Sequence, residues 1–157
     1  MRVRNSFRGK IWRYVIGVLI FAASLGAGTW TFDHSRARAE IALNDFYNYS
    51  GFTDKITTPL YEGGPAVVPL VIEKVKDKDM PRRLYAIRFL QSEAEAAPVL
   101  RQLVEDESED AYFRKTALWS LFHTDKNSAK ELAERYQDRD DFLGEYSKCI
   151  LTEDNCL

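Results

Sequence analysis

From about residue 63 onward the chain repeats itself with a period near 30, and that repetition restricts its fold more than any other feature. VPLVIEKVKD (68–77) aligns with APVLRQLVED (97–106) at an offset of 29, setting Pro69 over Pro98, Val75 over Val104 and Asp77 over Asp106. RRLYAIRFL (82–90) aligns with FRKTALWSL (113–121) at an offset of 31, setting Arg83 over Arg114, Ala86 over Ala117 and Leu90 over Leu121. KELAERYQD (130–138) lies 32 after PVLRQLVED, with Leu132 on Leu100. FLGEYSKCIL (142–151) then falls where another first helix belongs, with Cys149 in the small-residue slot of Ala86 and Ala117. Apolar residues recur at helical spacing in these segments, with alanine where two helices must approach closely. Pro69 and Pro98 fit first turns, where a missing N–H costs little. Acidic turns separate the segments: Asp77-Lys78-Asp79, Glu105 to Asp110, and Asp138 to Asp141. Carboxylates there meet the positive ends of the following helices. Two helices per period of about 30 residues is the mark of an α-solenoid, in which each unit buries its apolar face against the next.

Over about residues 63–151 the chain resembles the short HEAT-like repeat family, also seen in phycobilin lyases. The matching pieces are A-P-x-L…L-x-x-D in the second helix and R…A-…-L in the first helix that follows an acidic turn. The period is shorter than the 40–47 residues of longer HEAT and armadillo repeats. The resemblance implies a curved stack of helix pairs used mostly as an interaction surface, and it identifies no ligand.

The N-terminal part reads differently. Tyr14–Phe32 is uncharged over nineteen residues, about the length that crosses a bilayer as a helix. Arg2, Arg4, Arg8, Lys10 and Arg13 precede it, so the positive-inside rule places the N-terminus in the cytoplasm and later residues outside it. Basic start, apolar stretch and Ala37-Arg38-Ala39 also fit a cleaved signal, but the run is longer than a usual signal core and the triplet lies well beyond it. The expectation is a single transmembrane helix over 14–32, a basic tail over 1–13, a linker and capping segment over 33–62, and repeats over 63–157. The expected location is a bacterial inner membrane, with the domain in the periplasm. Ala22 with Gly26, Ala23 with Ala27 and Ser24 with Gly28 form three small-x-x-x-small pairs, which would let a partner's membrane helix approach closely.

Within 33–62, Ala37 to Tyr49 reads as a helix that continues the span or caps the first repeat, stopped by Ser50-Gly51. The aromatics Phe46, Tyr47, Tyr49 and Tyr61 either close the open end of the stack or form a patch that meets a partner. Cys149 and Cys156 are disulfide candidates only if the last helix ends near Leu151 and the chain turns back. On one continuous helix their Cα atoms would be about 10 Å apart, beyond reach.

No residue pattern points to catalysis. His34 and His123 lack neighbours at metal-ligand or nucleophile–base spacing, and Gly63-Gly64-Pro65 is no phosphate loop. The run Glu105 to Asp110 lacks the spacing and central glycine of a calcium loop. It reads as a solvated turn, in which reversing the charge of Glu107 or Glu109 is expected to be silent. Without the five tail cations the chain holds 17 Lys and Arg against 24 Asp and Glu, an acidic balance unsuited to nucleic acid. The expected function is non-enzymatic, without metal or cofactor: an accessory or scaffold subunit of a membrane protein complex. The rival readings are a bilin- or pigment-handling protein and a peptide or ligand receptor.

Overall fold

A computed structural model describes residues 34–152, and within them all regular structure is helical, with no strand. Helix α1 covers 34–48. It is followed by α2 (Thr58–Gly63), α3 (Val67–Lys74), α4 (Arg83–Phe89), α5 (Ala97–Glu105), α6 (Ala111–Thr124), α7 (Lys126–Tyr136) and α8 (Phe142–Thr152). Short 3₁₀ turns occupy Thr53–Lys55, Leu90–Ser92 and Ala94–Ala96. Residues 39–152 belong to one compact unit.

Acidic residues start the later helices. Asp110 accepts the Tyr112 N–H at 2.8 Å ahead of α6, and Asp141 accepts the Gly144 N–H at 3.0 Å ahead of α8. Asp125, the one residue between α6 and α7, accepts both the N–H and the hydroxyl of Ser128. Each carboxylate satisfies a donor that the first turn leaves over and meets the positive end of the helix dipole. The aligned pair Asp77 and Asp106 do the same work in their turns, accepting the N–H two residues on at 3.0 and 2.9 Å.

Side-chain bonds at a constant sequence separation fix how the helices stack. Ser120 Oγ donates to the Ile87 carbonyl at 2.9 Å and Thr124 Oγ1 to the Gln91 carbonyl at 3.0 Å, both across 33 residues. Two such bonds one turn apart require α4 and α6 to run the same way. Arg101 bonds Glu131 at 2.7 Å and Arg135 bonds Glu105 at 3.0 Å, both across 30 residues, so α5 and α7 are likewise co-directional. One layer therefore holds α4, α6 and α8, and the other holds α5 and α7, with α6 packed on α5 and α7, and α7 on α8. Between the layers lie Ala86, Ile87, Leu90, Leu100, Val104, Ala117, Leu118, Leu121, Leu132 and Leu143, all fully buried. In α1, Ala39 and Phe46 are also fully buried, with Ala42 and Leu43 nearly so. The helix thus adds its apolar face to the same core.

Three arginines seal helix ends. Arg83 Nε donates to the Val75 carbonyl just beyond α3 at 2.6 Å, and Arg114 Nε to the Val104 carbonyl in the last turn of α5 at 2.8 Å. These are the aligned residues of two successive repeats, so the same device recurs. Arg82 bonds the Tyr47 and Tyr49 carbonyls at the end of α1 and takes a left-handed conformation, φ 58°, to do so. A guanidinium at a helix C-terminus satisfies orphan carbonyls and opposes the dipole.

The last first-helix segment departs from this pattern. Thirty residues after Arg114 stands Gly144, and a Cβ there would come within 2.1 Å of the Arg139 carbonyl oxygen. Backbone fills the place that the arginine fills earlier. The buried small residue of α8 is then Ser147, bonded to the Leu143 carbonyl, whereas Cys149 is only half-buried. The sequence alignment had set Cys149 in that slot, two residues too far along.

The membrane expectation is corrected. No helix among the described residues is long and apolar enough to cross a membrane. At 14 residues α6 spans about 21 Å at 1.5 Å per residue, short of the roughly 30 Å hydrocarbon core, and α1 carries Arg36, Arg38, Glu40 and Asp45. The expected span 14–32, with Ala22, Ala23, Ser24, Gly26, Ala27 and Gly28, lies outside the described residues. The single-pass topology and the inner-membrane location are therefore not supported.

Candidate functional site

The two layers present different surfaces. On α5 and α7 two arginines are matched: Arg101 meets Glu131 and Glu105, and Arg135 meets Glu105 and Glu131. Hydrogen bonding from Arg101 holds the Glu131 carboxyl below its usual range.

The α4–α6–α8 layer carries a groove of about 230 Å³ lined by Leu84, Arg88, Tyr112, Lys115, Trp119 and Tyr146. Arg88 lies over the Trp119 ring at 5.3 Å, and Lys115 Nζ sits 5.6 Å from the rings of both Tyr112 and Tyr146. Neither cation has a carboxylate partner among the described residues. Their charge is met only by ring faces, a weak partner at an open surface. Burial pushes the Tyr146 hydroxyl up to about 12, so it remains a neutral donor. Tyr112 packs edge-on to Phe142 at 5.9 Å, and both are exposed.

Arg88 also borders a second hollow of about 180 Å³, bounded by Asp54, Thr57, Tyr61, Tyr85 and Phe89. Tyr61 is 54% exposed and stands edge-on to Phe89 at 5.0 Å. Arg88 lines both hollows, and the aromatic residues of the two, drawn from α2, α4, α6 and α8, constitute an aromatic track.

Of the aromatics singled out in the sequence, Tyr61 reaches this track. Phe46 is fully buried and belongs to the core, so no partner can touch it. Tyr47 and Tyr49 are half-buried, and their carbonyls receive Arg82. Cys149 is held in a disulfide, and Cys156 lies outside the described residues. His123 occupies the last turn of α6, where its ring Nδ1 bonds the Trp119 carbonyl at 2.8 Å. Among the described residues no group of three His, Cys, Asp or Glu is placed to hold a metal.

Sequence reasoning missed Arg88, Tyr112, Lys115, Trp119 and Tyr146. The signal for four of them was present: Arg88, Tyr112, Lys115 and Trp119 lie off the fully buried positions of α4 and α6 and put aromatic and basic residues together there, whereas Tyr146 is buried at 7% exposure and reads as core. It also missed Glu109. That side chain is 6% exposed and lies 2.6 Å from Arg83 Nη1 in a buried ion pair, although the two are not aligned as a hydrogen bond. The turn is solvated at Glu107 and closed at Glu109.

No family model, curated protein or solved structure matches this chain.

Proposed function

We propose that this chain is a non-enzymatic interaction module, a HEAT-like solenoid that acts as an accessory or scaffold subunit by gripping a partner protein on its α4–α6–α8 layer. The observation that carries the reading is the contrast between layers. Ion pairs tie Arg101 and Arg135 to carboxylates across α5 and α7, while the opposite layer gathers aromatic rings and two cations in one groove open to a ligand. Aromatic residues and arginine are the types enriched where proteins meet. Exposed Tyr61, Tyr112 and Phe142 all lie on or beside the track.

The rival readings fit the dimensions less well. Pockets for drug-sized ligands usually enclose about 300–1,000 Å³ and bury most of the ligand. The two hollows, at about 230 and 180 Å³, are smaller and open, which suits side chains of a docked segment better than a whole pigment.

The test places a photo-crosslinking residue at Tyr112 and, separately, at exposed Glu134 on α7, in cells expressing the full chain. The reading expects one partner, recovered in stoichiometric amount and identified by mass spectrometry, joined at Tyr112 and not at Glu134. Equal adducts at both positions, or none at either, would overturn it.

A further inference from the structure

Resting on that reading, we propose that the occupant of the groove is an extended acidic peptide segment, two of whose carboxylates pair with Arg88 and Lys115 while apolar side chains further along the same face of the segment lie on Trp119 and Tyr112. Charge complementarity is the ground. In a chain with more Asp and Glu than Lys and Arg, these two cations stand side by side in the track without a carboxylate partner among the described residues, whereas Arg101, Arg135, Arg139 and Arg83 each have one. The rings that flank them hold the cationic groups in place, so less side-chain freedom is lost when a ligand arrives.

The spacing suits an extended chain. Neighbouring helices in a packed layer stand about 8–10 Å apart, and an extended peptide advances roughly 3.3 Å per residue. Carboxylates two positions apart share a face and can therefore reach Arg88 on α4 and Lys115 on α6 together. About six residues would cross all three helices. Leu84, one turn before Arg88 on α4, offers an apolar seat at the edge of the groove. A nucleic acid strand is the other polyanion to weigh. Two cations cannot hold a backbone with a phosphate on every residue against the acidic remainder of the chain.

The full chain is titrated with a fluorescein-labelled ten-residue peptide, in which a central run of four Asp and Glu is flanked by Leu and Phe so that each face of the extended chain carries both, and binding is read by anisotropy. The Asn/Gln version of that peptide and a short single-stranded DNA are the comparisons. The expectation is binding of the acidic peptide alone, weakened as salt rises, and weakened roughly tenfold by each of Arg88→Gln and Lys115→Gln. A double variant, Arg88→Glu with Lys115→Glu, should lose the acidic peptide and take up the Lys-containing version; simple unfolding could not produce that exchange. Equal binding of the neutral peptide would overturn the charge assignment while leaving the interaction face intact. Preference for the DNA, or no binding by any probe, would also overturn it. If the Tyr112 crosslink fails as well, the reading of the face falls with it.

Discussion

At the scale of single residues, arginine decides much of how this chain is held. Arg83 and Arg114 were visible in the sequence as an aligned pair, yet nothing in the alignment told that each reaches back to the carbonyl end of the helix before it. The difference between them was equally hidden. Arg83 has Glu109 as its counter-charge. Arg114 lies under the Tyr136 ring at 5.0 Å with one buried terminal nitrogen unpartnered. A prediction follows from the first. Removing one member of a buried ion pair strands the other in a medium that solvates it poorly, at a cost of about 3–5 kcal/mol. Glu109→Lys does worse, because it sets two cations together. Urea unfolding followed by circular dichroism should show that loss for Glu109→Lys, against less than about 0.5 kcal/mol for Glu107→Lys at an exposed position. Two similar midpoints would mean that the Arg83–Glu109 contact does not hold in solution. The sequence reading had both substitutions silent, because six neighbouring polar residues look alike until the fold turns one of them inward.

At the scale of elements, most helices were legible because their apolar spacing and start signals agree. The expected second helices at 68–77 and 97–106 correspond to α3 and α5, and the expected first helices to α4, α6 and α8. What was not legible is register in the last pair. There Gly144 changes the contact from side chain to backbone, and no periodicity announces that exchange. The N-terminal membrane helix was an inference from the length of an uncharged run and its flanking cations, and no helix of the described residues supports it. The caps carry a pH prediction. Hydrogen bonds from the Ser108 hydroxyl and N–H hold Asp106 below its ordinary value of 3.8, those from Ser128 do so for Asp125, and Arg139 does so for Asp141. A folded-state pKa below the unfolded one means that the unfolded chain takes up protons first as pH falls. The stabilisation is complete above about pH 4 and is lost as pH drops through the folded values. Melting temperature should therefore be level from pH 7 to about 5 and decline below 4. Asp125→Asn keeps a cap oxygen but removes the titration, so its decline should be shallower. A melting temperature that starts to fall near pH 6 would point to histidine instead.

At the scale of the whole molecule, nearly every long-range side-chain bond described here spans 30 to 35 residues, which means each helix pair is tied to the next and to nothing further along. Lys78 reaches Ser108, Arg101 reaches Glu131, and Ser120 reaches Ile87. Stability in such a stack is close to a sum of nearest-neighbour terms. A central helix has neighbours on both sides and a terminal one has them on one. Leu121 on α6 and Ile150 on α8 are both buried, at 0% and 1% exposure, and truncating either to alanine removes similar apolar volume, at about 2–5 kcal/mol. The consequences should differ by position. In α6, which packs on α4, α5, α7 and α8, Leu121→Ala weakens every interface at once. Amide hydrogen exchange should then quicken by similar factors from α4 through α8. Ile150→Ala weakens only the end of the stack, so exchange should quicken in α8 and in the facing turns of α7 while α4 and α5 keep wild-type protection. Hydrogen exchange with mass spectrometry on the full chain reads both patterns. Uniform acceleration in Ile150→Ala would show that the compact unit opens as one body, and the nearest-neighbour description would then have to be given up for it.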